Sequence, residues 1–304
     1  MSTFLLSFAR IYPDFKRLKM AFPPRVITQI FAATLSIFLF AGCSITGRMA
    51  SSLTASVNGQ SDPQLIGEAL PTLIVTVDAL INNNPKDPDL LFAGARLYGS
   101  YGGFFVTDTD RQIALTNKAL SLAKRGLCQT LDDLCDALNK DNQSFEAALK
   151  AIDHRGDLPA LMSFGGAWVG WLQVNAGDFT ALTQMPRVRR VIEHAVALDE
   201  TYDNAIGHVY LGALNSQIPP SLGGRPDIGR GHFERAIELT GGQNLVAKAL
   251  FAQTYCRLVF DQELHDQLVE QVLQANPNVE GLTLMNALAQ QIARELKASG
   301  SDYF

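Results

Sequence analysis

The stretch VRRVIEHAVAL, at residues 188–198, places apolar side chains at the spacing of an amphipathic helix. Two related stretches follow it, HFERAIEL at 232–239 and LHDQLVEQVL at 264–273. Each comes after a residue pair, large then smaller, and these pairs recur every 40 residues: Trp171-Leu172, Leu211-Gly212 and Phe251-Ala252. Helix pairs repeated at about 34 to 47 residues are typical of helical repeat proteins. We therefore predict an all-α fold, a tetratricopeptide-like (TPR-like) α-solenoid of antiparallel helix pairs.

The rest of the mature chain is also patterned as helices, with one irregular part. Residues 281–298, GLTLMNALAQQIARELKA, predict a C-terminal helix that caps the array. Pro71 interrupts an early apolar stripe, so we expect one helix to end there and another to begin. Residues 126–157 are polar and less periodic, and we predict an irregular insertion with one helix near 144–152. The helical domain as a whole should cover residues 63–304.

The first 42 residues have the pattern of a bacterial export signal. Basic residues precede a short apolar run, and small residues follow it. The sequence FAGCS at 40–44 is similar to a lipobox, in which Cys43 is lipidated and becomes the mature N-terminus. Phe40 stands where a lipobox usually has leucine, and Met20 is an alternative start. An ordinary cysteine after an uncleaved signal anchor is the other interpretation.

The charge of the chain limits its partners. Without the leader, 20 basic residues remain against 29 acidic ones. A surface this acidic argues against nucleic acid and against anionic lipid as partners. Acyl chains on Cys43 would attach the protein to a membrane, and Ser44 permits transport onward to the outer membrane. We expect a lipid-anchored protein that faces the periplasm, with a flexible tether at residues 43–62.

Sequence signatures of catalysis are absent. The five histidines are scattered, and neither an HExxH motif nor a Cys/His cluster occurs. No GxSxG motif is present, and no cysteine stands beside a plausible base. We therefore predict that the protein is not an enzyme and that it has no cofactor and no metal site.

The stretch PPSLGGRPDIGRGHFERA, at 219–236, has glycines and arginines like a phosphate-binding loop. Such a loop needs a preceding buried strand and a GK[ST] ending, and the sequence predicts neither here. We therefore interpret residues 219–230 as a joint between two helices, in which the glycine pair turns the chain. Arg225 and Arg230 remain candidates for contacting an anion or an acidic partner protein.

The segment SFGGAWVGWLQVN, at 163–175, places Trp168 and Trp171 on one helix face. In a structural interpretation, both indole rings fill the groove to the neighbouring repeat. In a functional interpretation, the aromatic pair lines an apolar ligand cavity or anchors a partner, and His208 and Tyr210 extend that surface one repeat later. The sequence leaves both interpretations open.

Cys128 and Cys135 form a candidate disulfide. On one continuous helix, the two turns between them would separate them by about 10 Å, which is too far to bridge. A helix break near Gly126 or in the TLDD segment would bring them together, and an oxidising compartment would permit the bond. The sequence leaves this pairing open, and it predicts that Cys256 packs as a small apolar residue.

Several segments together resemble one known family. They include DPQLIGEALPTLIVTVDALINNNPKDP at 62–88, GGAWVGWL at 165–172, IPPSLGGRPDIGRGHFERAIELTGGQN at 218–244 and the terminal MNALAQQIARELKASGSDYF. In this order, they are similar to the TatT component family associated with TRAP transporters. The resemblance implies a periplasmic lipoprotein of TPR-like helices that partners a TRAP-type solute-binding protein. It also implies help in delivering a small apolar or organic-acid ligand, and assembly as a homo-oligomer with a central passage.

A second class of function stays open beside the transport accessory. The same lipid-anchored helical repeats would suit a TPR scaffold lipoprotein that assembles an outer-membrane or other envelope complex. A neighbouring gene for a TRAP solute-binding protein would favour the transport accessory over the scaffold.

Overall fold

The structure, a computed structural model, describes residues 55–222 and 224–304. In that part of the chain every regular element is a helix, which confirms the all-α prediction. The predicted signal segment, Cys43 and most of the tether lie outside the described residues. The helices are, in chain order, α1 (Pro63–Asn83), α2 (Pro88–Phe104), α3 (Thr109–Thr130), α4 (Asp132–Ala137), α5 (Asn142–Lys150), α6 (Leu158–Val174), α7 (Phe179–Leu182), α8 (Met185–Leu198), α9 (Tyr202–Asn215), α10 (Pro226–Leu239), α11 (Leu245–Leu250), α12 (Arg257–Val259), α13 (Gln262–Gln274) and α14 (Thr283–Tyr303).

The helices predicted from the 40-residue recurrence are present. VRRVIEHAVAL forms most of α8, HFERAIEL the second half of α10 and LHDQLVEQVL most of α13. Each packs on an element that carries the preceding residue pair: α8 on α6, α10 on α9, and α13 on the π-helical segment Phe251–Cys256 that follows α11. The predicted capping helix is α14, which packs on α11 and α13. The helix pairs are thus as predicted, while their arrangement as a solenoid stays a prediction.

Close packing between two paired helices depends on Gly212 in α9. A Cβ atom at this position would lie 2.8 Å from three ring atoms of Phe233, a fully buried residue of α10. Side chains do not approach so closely, so the ring occupies the space that glycine leaves. The small residue that the repeat places after Leu211 therefore sets the distance between α9 and α10.

α1 continues through Pro71 as one helix, so the predicted break there is wrong. The proline ring removes one backbone donor without ending the helix. By length and composition alone, α1 is the one described helix that could cross a membrane. Here Ile66 and Leu70 pack with Leu284 and Leu288 of α14. α1 is therefore a helix of the packed domain in this structure.

Residues 126–157 are more regular than predicted. Two short helices, α4 and α5, occupy the segment in which the sequence predicted one helix near 144–152. Leu134, Phe145 and Leu149 are each 1% exposed and belong to the largest cluster of buried apolar residues. The prediction of an irregular insertion is therefore wrong, because the segment is largely helical and packs into the core of the domain.

Candidate functional site

α9 begins with three consecutive residues in the left-handed conformation. Asp203, Asn204 and Ala205 have φ angles of 47°, 56° and 58°. Residues other than glycine rarely adopt this conformation, and each costs on the order of 1–3 kcal/mol. Asn244, which is 2% exposed, holds the segment by donating its Nδ2 to the carbonyl oxygen of Asn204 at 3.0 Å. Strain of this kind clusters at functional sites, so the segment marks the start of α9 as a candidate site.

Side chains from α2, α6 and α9 meet beside the left-handed segment. Arg96 Nη1 of α2 donates to Ser163 Oγ of α6 at 3.3 Å. One turn further along α6, a Cβ atom on Gly166 would lie 3.0 Å from the hydroxyl oxygen of Tyr210. The missing side chain thus lets Tyr210 of α9 approach α6. We call this group the polar recess; its members are Arg96, Ser163, Tyr202, Asp203 and Tyr210.

Electrostatic interactions connect several of these side chains. Asp203 keeps solvent access, yet the protein atoms around it raise the pKa of its carboxyl group, and the charge of Arg96 offsets only part of that rise. Burial and then the charge of Asp203 raise the pKa of Tyr210 to about 12, and they raise the pKa of Tyr202 as well. Convergent polar groups with shifted pKa values are typical of binding sites.

Most polar groups of the recess have no protein partner. Within the described residues, the side chain of Asp203 makes no hydrogen bond and no ion pair, and the same is true of the hydroxyl groups of Tyr202 and Tyr210. Among the residues that the structure describes, the side chain of Arg96 hydrogen-bonds only to Ser163. These donors and acceptors are therefore available to a ligand.

The two tryptophans predicted from the sequence differ in burial. Trp168 is 6% exposed, its Nε1 donates to Gln184 Oε1 at 2.9 Å, and its ring lies 5.1 Å from the ring of Phe164. Trp171 is partly buried and donates its Nε1 to Asn117 Oδ1 at 2.6 Å. Trp168 is thus a core residue, and neither indole belongs to the polar recess.

His208 is buried, and it belongs to a network of otherwise partly exposed polar side chains rather than to an aromatic surface. Its Nε2 is 3.3 Å from Glu200 Oε2, and its Nδ1 is 2.9 Å from His232 Nδ1. Because a carboxylate only accepts, Nε2 of His208 carries the proton, and Nδ1 then accepts from His232. Arg235 completes the network by donating its Nη2 to Glu200 Oε1 at 2.6 Å. The network joins Glu200, in the connection between α8 and α9, to the helices α9 and α10, which is a structural role.

Burial favours the neutral form of both histidines of this network. It lowers the pKa of His232 to about 4, with a further contribution from the charge of His208. It also lowers the pKa of His208, although Glu200 acts in the opposite direction. The hydrogen bond from Arg235 lowers the pKa of Glu200, so the carboxylate is ionised when both rings are neutral.

The glycine-rich segment ends earlier than predicted. α10 begins at Pro226, so Arg230 is helical, and its Nε donates to Glu234 Oε1 on the same helix at 2.7 Å. Arg225 precedes the helix, is exposed, and makes no side-chain hydrogen bond or ion pair in the described part of the chain. Burial lowers the pKa of Arg189 on α8, and the positive charge of Arg225 lowers it further. The charges of Arg225 and Arg189 thus interact in a patch that also includes Glu193 beside Arg189 and that Arg230 does not share.

The segment before Arg225 connects two helices with no strand in front of it. A Cβ atom on Gly224 would overlap the carbonyl oxygen of Ile218, so this turn requires glycine. Gly223 lies outside the described residues. The geometry agrees with the interpretation of the segment as a joint between helices.

The structure pairs Cys128 with Cys135 in a disulfide, with their Cα atoms 5.1 Å apart. Cys128 lies near the end of α3 and Cys135 in α4, and the chain turns between them at Leu131. The helix break therefore falls in the TLDD segment, and Gly126 is a helical residue. Cys256 is a buried free thiol whose pKa burial raises to about 12, as expected of a residue that packs as an apolar one.

The left-handed segment of α9 also borders a cavity. Asn204 and Ala205 line this cavity of about 220 Å³, together with residues that include Gln243 and Leu282. Among residues 55–222 and 224–304, no group of three or more His, Cys, Asp or Glu side chains is placed to hold a metal ion.

The fold and the recess define a class: an all-helical protein of paired helices with one strained polar recess in the part that the structure describes. The chain belongs to the TAtT family, the TRAP transporter T-component, whose profile matches residues 59–304. This confirms the resemblance that the sequence motifs indicate. As a component of a TRAP system, the protein works in the bacterial cell envelope. No curated protein matches the chain.

Proposed function

We propose that the protein is a lipid-anchored periplasmic accessory of a TRAP-type solute uptake system. It binds the solute-binding protein of that system and holds a small ligand. The family match over residues 59–304 carries this proposal. The role is binding rather than catalysis, and it requires no cofactor.

Two features of the chain support a periplasmic location. The disulfide between Cys128 and Cys135 is of the kind that forms in oxidising compartments, which include the periplasm. The lipobox-like FAGCS at 40–44 fits export followed by acylation of Cys43. Acyl chains there would keep the helical domain at a membrane, most simply the outer membrane, within reach of a periplasmic partner.

The anchor is tested by replacing Cys43 with serine. The variant should incorporate no palmitate label, because serine offers no thiol for acylation, and it should remain unprocessed or become soluble instead of reaching the outer membrane. Metabolic labelling and cell fractionation measure both results. A variant that keeps the palmitate label and still fractionates with the outer membrane as the wild type does would overturn the anchor.

Arg225 is the best-placed contact for the protein partner. It is exposed, it has no acidic partner in the described chain, and the half-buried Arg189 adds positive charge nearby. On a chain with an acidic balance, such a patch favours approach of a negatively charged protein surface.

Charge removal at Arg225 should weaken docking modestly. An exposed ion pair contributes about 0–1 kcal/mol, so Arg225→Gln should weaken binding of a co-encoded solute-binding protein by up to about fivefold, mainly at low salt. Arg230→Gln is the matched control, because Glu234 already engages that guanidinium. Titration calorimetry at low and high salt measures both variants.

The same experiment separates the two classes of function. If Arg225→Gln binds the solute-binding protein as tightly as the wild type at both salt concentrations, Arg225 does not contribute to docking, and residues 219–230 only connect two helices. If the anchored wild type fails to capture the solute-binding protein and instead captures outer-membrane assembly proteins, the scaffold function replaces the transport accessory.

A further inference from the structure

The cavity of about 220 Å³ beside the left-handed segment lies where four parts of the chain meet. Its walls come from the start of α9, the end of α10, the connection between α10 and α11, and the residue before α14. Of the described residues that line it, four have polar side chains and none carries a charge or an aromatic ring. The polar residues are Thr201, Asn204, Thr240 and Gln243.

Two buried asparagines hold these walls together. Asn244, which is 2% exposed, donates its Nδ2 to the carbonyl oxygen of Asn204 at 3.0 Å and so joins the connection to the left-handed segment. Asn286 of α14, which is 0% exposed, donates its Nδ2 to the carbonyl oxygen of Gln243 and accepts from the N–H of Leu245, each at 3.0 Å. The walls are therefore fixed by buried hydrogen bonds before any ligand binds, as in most small-molecule sites.

The polar side chains of the cavity have hydrogen-bonding capacity to spare. The amides of Asn204 and Gln243 make no side-chain hydrogen bond within the described chain, so each offers two donors and an acceptor. The hydroxyl hydrogens of Thr201 and Thr240 are already used in hydrogen bonds of 2.7 Å within the protein, so these two oxygens can only accept. A ligand that suits the cavity must therefore both donate and accept hydrogen bonds.

Asn244 has one more unused group at the wall of the cavity. Its Oδ1 is buried and accepts no hydrogen bond from the described chain. Buried side-chain acceptors of folded proteins have a partner in the large majority of cases, ordered water included. Because the other end of the same amide contacts the lining residue Asn204, a hydroxyl group in the cavity can supply this donor, directly or through one water.

We propose that this cavity binds a small, neutral, polyhydroxylated molecule of the size of a monosaccharide. A hydroxyl group donates and accepts at once, which the amides and the threonine oxygens together require. A cavity of about 150 Å³ accommodates a benzene ring, so the larger cavity here suits a six-membered ring with several substituents. Ala205, Leu239 and Leu282 complete the lining with apolar surface for the carbon skeleton. This inference rests on the proposed function and deepens it by naming the site and the class of ligand.

The uncharged lining selects against an organic acid and against an amine. An ionised group that enters the cavity would lose water without gaining an opposite charge. A Cβ atom on Gly242 would lie 3.3 Å from Nζ of Lys248, but neither residue is among those that line the cavity. A purely apolar ligand would shield the amides of Asn204 and Gln243 from water without pairing them. For this cavity, a neutral polar ligand thus takes the place of the apolar or organic-acid ligand that the family resemblance implies.

The purified full-length chain should bind at least one neutral sugar or polyol. Titration calorimetry and thermal shift at neutral pH would test glucose, galactose, mannose, ribose and myo-inositol. Each hexose is compared with its uronic acid and its amino sugar, and cyclohexanol represents a ring with a single hydroxyl group. We expect a dissociation constant of about 1 mM or lower for the neutral ligand, and at least about tenfold weaker binding of the charged counterparts and of cyclohexanol. Absence of binding for every neutral compound at about 20 mM, or equal binding of a uronic acid or of cyclohexanol, overturns the proposal.

A charge introduced by Gln243→Glu connects this binding to the cavity. The side chain is exposed, has no partner in the described chain and keeps its size, so the variant should fold. Its carboxylate should weaken binding of the neutral sugar by at least about fivefold and strengthen binding of the amino sugar, because an ammonium group now meets an opposite charge. Gln143→Glu is the matched control on the exposed side of α5, and it should bind every compound as the wild type does. If Gln243→Glu leaves both affinities unchanged, the cavity is not the site.

Thr240→Val tests the acceptor in the wall. Valine keeps the shape of the side chain and removes the hydroxyl oxygen, so affinity for the neutral sugar should fall by about tenfold while the melting temperature changes little. Wild-type affinity in this variant would contradict a contact between the ligand and Thr240.

Failure of this proposal is distinguishable from failure of the proposed function. The sugar titration uses the chain alone, whereas docking is measured with the solute-binding protein. A chain that docks to the solute-binding protein but binds no neutral sugar refutes the ligand class alone. A chain that binds a neutral sugar but does not dock refutes the accessory role and leaves the cavity as a site.

Discussion

Replacing Trp168 with alanine should lower the free energy of unfolding by about 3–5 kcal/mol. The indole is 6% exposed, lies against the ring of Phe164, and donates a hydrogen bond to Gln184 Oε1. Alanine would leave a large cavity in the core beside α6. It would also remove the hydrogen bond that Gln184 Oε1 accepts from the indole. Urea unfolding followed by circular dichroism measures the loss.

Trp171→Ala is the matched control for this substitution. The second indole is only partly buried, and its hydrogen bond to Asn117 lies at the surface, so the loss of stability should be clearly smaller. Equal losses for the two variants, or a near-neutral Trp168→Ala, would contradict the assignment of Trp168 to the core. In that case the functional interpretation of the tryptophan pair would return.

The helices of this fold can be predicted from the sequence because their signals are local and repeated. Apolar spacing of 3.6 residues identifies α8, α10 and α13, and the residue pairs at intervals of 40 identify their partners. The predicted helix break at Pro71 is wrong because proline disfavours a helix interior but does not forbid it. Contacts between α1 and α14 stabilise the helix around it.

Gly229, which the sequence placed in the joint at 219–230, was misinterpreted for a different reason. Glycine in a sequence indicates a turn, but Gly229 is helical. A Cβ atom there would overlap Ser216 Oγ and lie 2.9 Å from the carbonyl oxygen of Gly212 on α9. This glycine therefore serves close packing between two helices, and a single sequence does not show which of the two roles a glycine has.

Most members of the polar recess could not be predicted from the sequence. Tyr210 could be singled out, but Arg96, Ser163 and Asp203 come from three helices that only tertiary packing brings together. The left-handed segment contains no glycine, and its only signal is an Asp-Asn pair, two residues that tolerate this conformation better than most. The His208 network was missed likewise, because its members come from separate elements.

Acidification from near pH 7 to near pH 5 should lower the free energy of unfolding by about 2 kcal/mol through His232. Burial lowers the pKa of His232 in the folded protein from 6.5 to about 4. Between these two values the unfolded chain binds a proton that the folded chain does not, so stability falls as the pH falls. Glu200 does not titrate in this window, because Arg235 lowers its pKa further below 4.5. Urea unfolding at both pH values measures the change.

His232→Asn should remove most of this acid sensitivity. The asparagine amide can donate to His208 Nδ1 in place of the imidazole Nδ1, so the variant keeps the hydrogen bond and loses the titrating ring. Burial also lowers the pKa of His208, so a smaller sensitivity should remain in the variant. The exposed His154, whose Nδ1 accepts from the N–H of Gly156, provides the control, and His154→Asn should keep the acid sensitivity of the wild type. If His232→Asn loses as much stability between pH 7 and pH 5 as the wild type, the buried histidine pair is not the source of the acid sensitivity.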